Sequence, residues 1–310
     1  MSASTPPNTS NRIRSVTIEG FRSLKHIQNL ELPPLTVLIG ANGAGKSTLI
    51  RFFEMLSWML KAKGLQEFVL RHGGGDDLFF MGARSTARIQ AVICTELDGM
   101  NFKYGFALDY LPARDSVLIL GEYWQCEQHA FPVRALTSHL GSASLESLLP
   151  EVDDPDTQAL CRFFSRCATY QFHDTSPLAN IHKRWDVTES FRLRSDGGNL
   201  AAVLLDLRNM DSKRYELIVK QISRVLPTFK DFVLVEEAGK VLLRWVGRQS
   251  DKVFGSHLTS DGSLRLFCLL TLLNLPPERL PNVMFFDEPE LGLHPHAMTL
   301  VVEMFKRLSK

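Results

Sequence analysis

The first ordered pattern begins at Arg12, where Ile13, Val16 and Ile18 recur among polar residues as on one face of a strand. Leu35 to Ile39 is a short apolar run rich in β-branched residues, introduced by Pro33-Pro34, and it predicts a buried parallel strand. A glycine-rich turn follows. Leu49, Ile50, Phe53, Leu56 and Leu60 then recur at helical spacing, predicting a helix from Lys46 to about Leu60. Arg71 to Gly82, with its glycine triplet and Asp76-Asp77, reads as a loop. Ala87 to about Glu127 predicts three strands, broken at Asp98-Gly99 and at Pro112 to Asp115. Helices are expected over Thr157–Cys167, Leu200–Arg208, Lys213–Val225 and Ser263–Leu273. Phe232 to Val246 reads as a hairpin turning at Ala238-Gly239-Lys240. Val283–Phe286 is a short buried strand ending in Asp287, and a last helix starts near Pro295. No heptad or internal repeat runs through the middle, which excludes a long coiled-coil arm.

Composition narrows the class. The 310 residues are 45% hydrophobic, enough for one large core or two modest ones. A net charge of +1 gives no global field for nucleic acid, so DNA contact would need local patches such as Lys183-Arg184, Arg192 and Arg194. The apolar run Leu266–Leu275 is too short for a membrane span, which needs about 20 residues. Residues 1–11 are polar, lack the apolar core of a secretory leader and are expected to form a disordered tail. Five scattered cysteines without a C-x-x-C pair point to thiols in a reducing cytoplasm rather than to a zinc site.

Gly40-Ala41-Asn42-Gly43-Ala44-Gly45-Lys46-Ser47 fits G-x-x-x-x-G-K-[ST] without a mismatch, between an expected strand and an expected helix. Such a loop turns its backbone N–H groups inward around a β-phosphate. The lysine reaches the β- and γ-phosphates, and the hydroxyl takes Mg²⁺. Gly40 to Ser47, with Thr48 beside them, are therefore the expected ATP contacts, and Lys46 is also expected to act in catalysis.

Val283-Met284-Phe285-Phe286 delivers Asp287-Glu288 to a sheet edge, where α/β folds bind nucleotides. Asp287 is expected to join Ser47 around Mg²⁺, with Glu288 as the catalytic carboxylate that polarises the attacking water. Upstream, Thr259-Ser260-Asp261-Gly262-Ser263 opens an apolar helix. A serine hydroxyl, a glycine amide and a helix N-terminus there make an anion site. His294-Pro295-His296 lacks an evident third ligand and does not read as a metal site.

These motifs, in this order, resemble the ABC/SMC class of P-loop ATPases, and within it the RecF-like predicted ATPases of the AAA type. Ser260 and Gly262 match two positions of the signature L-S-G-G-Q, and Glu290 to Pro295 resembles the D-loop. Ile18-Glu19-Gly20-Phe21-Arg22-Ser23 resembles the opening of RecF, SMC and OLD-type ATPases. Tyr170 to Pro177 and Asp196 to Ala201 resemble segments of stand-alone bacterial AAA-type ATPases.

The resemblance implies an α/β head with a mixed central sheet, a flanking antiparallel β-lobe and a helical lobe carrying the signature. Residues 12–62 and 255–310 would form the nucleotide-binding core and 84–250 the insert. It further implies two heads sandwiching ATP as a homodimer, Ser260 and Gly262 contacting the partner's γ-phosphate, and Arg22 lying near the nucleotide. The Q-loop glutamine stays open among Gln66, Gln90 and Gln171. Related heads continue past the D-loop helix into one more apolar strand, so the head is expected to be incomplete as given. The functions implied are ATP-dependent action on DNA, in repair or in defence against foreign DNA, or the gating of a separate effector such as a nuclease. The S-D-G-S form of the signature argues against a transporter subunit.

Overall fold

The computed structural model describes residues 11–61, 64–126, 134–135 and 143–309. Apart from Asn11, the expected N-terminal tail lies outside the described residues. The alternation at the start becomes β1 (Arg12–Phe21), with Ile13, Val16, Ile18 and Phe21 buried. The chain divides into two compact units, residues 1–168 with 282–284 and residues 169–281 with 285–310.

In the first unit β1 turns back as β2 (Leu24–Glu31). The helices α1 (Lys46–Met59) and α2 (Leu65–Arg71) follow, then β3 (Arg88–Leu97), β4 (Met100–Leu111), β5 (Ser116–Cys126), β6 (Arg134–Ala135) and α3 (Pro155–Ser165). The six strands form one antiparallel sheet in the order β2-β1-β3-β4-β5-β6. β3, β4 and β5 are the three expected strands. Their breaks fall where Asp98 and Asp115 take the left-handed φ values of 50° and 45°. Helix α1 lays its apolar stripe on the dry face of the sheet: the fully buried Phe52 ring lies 5.6 Å from Phe21 and 6.2 Å from Phe106. Each such ring contributes about 1.5–3 kcal/mol by leaving water.

One carboxylate lies within this core. Glu122 on β5 accepts from the Tyr104 hydroxyl, the Ser147 hydroxyl and the Leu148 amide, tying the 147–149 segment to the sheet. Burial raises its pKa above the ordinary carboxylate value, against the opposing pull of those donors. A raised folded value favours the protonated form. This contribution is therefore full below the unfolded pKa of about 4.3 and is lost as pH rises through the folded value. We expect stability, followed by urea melts, to decline from mildly acid towards neutral pH by a component that Glu122→Gln removes.

The second unit takes up the chain partway through β7 (Cys167–Tyr170). It continues with β8 (Trp185–Asp186), α4 (Leu200–Met210), α5 (Ser212–Val225), β9 (Phe229–Phe232), β10 (Glu236–Glu237), β11 (Lys240–Val241), β12 (Arg244–Gly247), β13 (Ser250–Gly255) and α6 (Asp261–Leu273). Strand β14 (Val283–Phe286) and helix α7 (Pro295–Leu308) complete it. Asp211 caps α5 by accepting from the Arg214 amide. Phe229, Phe232, Trp245 and Phe267 gather the small β9–β12–β13 sheet against α6, with ring separations of 4.9–5.7 Å. The expected hairpin turns at Ala238-Gly239 but splits its arms, β10 and β11 pairing with each other while β12 joins β9. Strand β14 pairs with β7. The Asn282 amide donates to the Arg166 carbonyl and the Asp287 amide to that of Tyr170, so the two strands advance in parallel.

Two expectations fail: Val283–Phe286 forms its strand but is only half-buried, and the strand before the glycine loop is absent. Leu35–Ile39 is not a strand and is not buried: Val37 is 72% exposed and Ile39 92%. An apolar run becomes a strand only where a neighbouring edge completes its backbone hydrogen bonds. Among the described residues no strand offers such an edge, and none of the main-chain hydrogen bonds outside helices and strands involves residues 35–39. Among the elements not expected, β2 is a mostly exposed edge strand and α2 a single short helix, both weak in periodicity; the strands β6, β7, β8 and β13 are two to six residues long. We expect Val37→Thr and Ile39→Thr to change stability by no more than about 0.5 kcal/mol. Phe52→Ala should cost about 3–5 kcal/mol in the same denaturant melts.

Candidate functional site

The glycine loop enters α1 through Gly43 and Gly45, whose φ values of 81° and 95° suit glycine. A Cβ on Gly45 would also stand 2.7 Å from Leu24 Cδ2. No side chain caps α1, and the start of a helix favours an anion. The Lys46 ammonium folds back over its own loop, donating to the carbonyls of Gly40 at 2.7 Å and Ala41 at 2.9 Å. Thr48 shares a 2.7 Å hydrogen bond with Ser23, which joins the helix to the residue after Arg22.

Arg22 itself has φ 49°, and its side chain donates to the His72 carbonyl at 2.8 Å. Its Nε is buried without a hydrogen-bond partner. Burial, and then repulsion from Arg51, lower its pKa from the ordinary arginine value. Arg22, Ser23, Thr48, His72, Asp76 and Met81 line a cavity of about 420 Å³ beside the helix start. Arg22, expected to lie near the nucleotide, thus shares this cavity with Ser23 and Thr48.

In the second unit, Asp287 and Glu288 follow directly on β14. Gln171 Nε2 lies 3.4 Å from Asp287 Oδ2, and His173 Nε2 lies 2.9 Å from the Asp287 carbonyl. Glu288 takes φ 45° and opens a turn closed by the Leu291 amide on its carbonyl. Of the three candidate glutamines, only Gln171 reaches an acid of the pair. Gln66 donates to the carbonyls of Val117 and Leu145, and Gln90 faces solvent on β3. Ser260 caps α6: its hydroxyl accepts from the Ser263 amide at 3.3 Å and meets the Ser263 hydroxyl at 2.9 Å. A Cβ on Gly262 would collide with the Gly292 carbonyl oxygen, so the signature turn abuts the D-loop turn through bare backbone.

The Asp196-Gly197-Gly198-Asn199 segment is a clasp around this region. The buried Asn199 side chain donates to the carbonyls of Glu189 and Arg192 and accepts from the Arg194 amide. Asp196 receives Asn180, and the Gln171 amide donates to Ser195. The basic residues considered for DNA are largely committed to neighbours. Arg184 pairs with Glu237 at 2.6 Å, Arg194 lies near Glu189 and Asp196, and Lys183 donates to Asn180. Pattern reading did not single out His173 or Arg265. His173 sits inside a segment valued only for resemblance, and an arginine on a helix ordinarily reads as a solvated face.

Comparison with known proteins gives the class of the chain. Residues 12–89 match a family model described as "AAA ATPase domain". Residues 169–310 match one described as "AAA domain, putative AbiEii toxin, Type IV TA system". No curated protein matches the chain. Among solved structures, an Smc head bound to the C-terminal winged-helix domain of ScpA aligns with TM-score 0.55 and 15% identity, over 96% of this chain and 86% of that one. An Smc head with an extended coiled coil, bound to the C-terminal domain of ScpA derived from Pyrococcus furiosus, aligns with TM-score 0.52 and 14% identity, over 96% and 87%. The ATP-bound recombination mediator RecF aligns with TM-score 0.42 and 14% identity, over 96% and 91%.

Proposed function

We propose that the chain, which has the fold of an SMC head and matches AAA ATPase domain models, is a RecF-like ATPase that binds and hydrolyses Mg²⁺-ATP, with ATP joining two copies. The observation that carries this reading is the phosphate loop: an uncapped helix start, two glycines at positive φ and a lysine whose hydrogen bonds go to the loop's own carbonyls. Triphosphate would replace those carbonyls as the partner of Lys46 and lie against the start of α1, which no side chain caps. A hydroxyl at Ser47 and a carboxylate at Asp287 are hard oxygen donors suited to Mg²⁺. The ion, when bound, neutralises charge on the phosphates.

Gln171 would orient the Asp287 carboxylate. Glu288 would orient water for in-line attack on the γ-phosphorus, taking its proton as the bond to the ADP oxygen breaks. Ser260 and Gly262 would receive the γ-phosphate held by the other copy. No helix among the described residues is long and apolar enough to cross a membrane. The match of residues 169–310 to a model named for a toxin–antitoxin system favours a role in defence against foreign DNA, exerted directly or by gating a separate effector. For DNA repair the surface offers less, since most of the candidate phosphate contacts are already paired.

The test is a pair of substitutions. Lys46→Ala should abolish binding of a fluorescent ATP analogue, because the phosphates lose their main cationic partner. Glu288→Gln should keep ATP bound, lower turnover at least about 100-fold and accumulate a dimer seen by light scattering. Unchanged binding in the first, or unchanged turnover in the second, would refute the assignment.

A further inference from the structure

A single guanidinium on the signature helix grips both flanks of the acid turn. Arg265 lies in the first turns of α6, just beyond the Ser260 cap. Its Nε donates to the Phe172 carbonyl at 3.1 Å, its Nη2 to that of His173 at 3.2 Å, and its Nη1 to that of Leu291 at 3.0 Å. Phe172 and His173 belong to the segment that sets Gln171 and the His173 ring against Asp287. Leu291 closes the turn opened by Glu288. Beside these bonds there is no room for slack: a Cβ on Gly292 would lie 2.8 Å from Arg265 Nη1, and one on Gly262 would strike the Gly292 carbonyl.

We propose that Arg265 is a positioning residue that makes the signature turn and the acid turn move together, so that phosphate arriving at Ser260 and Gly262 sets the attitude of Glu288. This rests on the ATP-hydrolysing reading of the site. Arginine suits the task because its planar, permanently charged fork reaches several acceptors in fixed directions, whereas a lysine ammonium is a compact point charge. All three acceptors are main-chain carbonyls, so the clamp acts on backbone geometry.

Arg265→Lys keeps the charge and removes the fork. In the full chain it should leave the Kd for a fluorescent ATP analogue within about twofold while lowering kcat about tenfold or more, a loss of about 1.4 kcal/mol in transition-state stabilisation. The discriminating readout is a double-mutant cycle with Ser260→Ala. If Arg265 carries the coupling, Ser260→Ala lowers kcat in the wild type but adds little in the Arg265→Lys background. Multiplying losses, or wild-type turnover in Arg265→Lys, would overturn the proposal. Should Arg265→Lys melt well below the wild type, Arg265→Gln in the same cycle decides between coupling and its absence, because non-additivity with Ser260→Ala is independent of a general loss of folded protein. A wild-type chain that binds but never hydrolyses ATP would instead refute the functional reading itself.

Discussion

A residue at φ 45° does not hold a catalytic turn by itself. Glu288 takes that value at the point where β14 ends, a conformation that costs a non-glycine residue of the order of 1 kcal/mol or more and persists only where its surroundings fix it. Those surroundings are hydrogen bonds to main-chain groups, two from the main chain and two from side chains. The Asp287 amide is held by the parallel strand β7, the Asp287 carbonyl by His173, the Glu288 carbonyl by Leu291 and the Leu291 carbonyl by Arg265. The backbone beneath the two acids is gripped from several sides, as the proposed chemistry would require.

That dependence explains which parts were legible in the sequence. Elements defined by a one-dimensional pattern came through: α1 and α6 by helical spacing, β14 by four apolar residues before two acids, β3 to β5 by alternation between turn residues. The phosphate loop, the acid pair and the Ser260 cap were legible because each is a contiguous chemical motif. The grip on the acid turn was not, because Gln171, His173, Arg265 and Leu291 meet only through folding, across about 120 positions of chain. Gln171 could be named as a candidate but not chosen, since what distinguishes it from Gln66 and Gln90 is its distance to Asp287. Leu35–Ile39 shows the converse: an apolar pattern reports a tendency, while strand formation also needs an edge to pair with.

The glycines divide along the same line. Gly43 and Gly45 are needed for a left-handed backbone that any phosphate-binding loop of this kind requires, so a motif finds them. Gly262 and Gly292 are needed because two turns touch through backbone, a requirement invisible along the chain. Gly262 thus has two reasons to lack a side chain: the amide it offers an anion, and the approach of the D-loop turn. A substitution there would confound recognition with coupling, which is why Ser260, whose hydroxyl contacts only its own helix turn, separates them better.

The phosphate loop in the first unit and the acid turn in the second are held unequally. The acid turn is held by strand, helix and loop at once. The phosphate loop is anchored on one side only: after it, α1 is buried in the first unit, while before it the segment 35–39 is solvent-exposed. A loop held at one end keeps conformational freedom that a ligand must remove on binding, and part of the binding energy is consumed in that ordering. Lys46, turned onto the carbonyls of Gly40 and Ala41, offsets its own charge in the meantime. On the proposed reading, nucleotide binding would exchange these two intraloop hydrogen bonds for phosphate contacts beside an exposed segment. On that reading, affinity would depend on the surroundings of residues 35–39 as well as on the motif residues themselves.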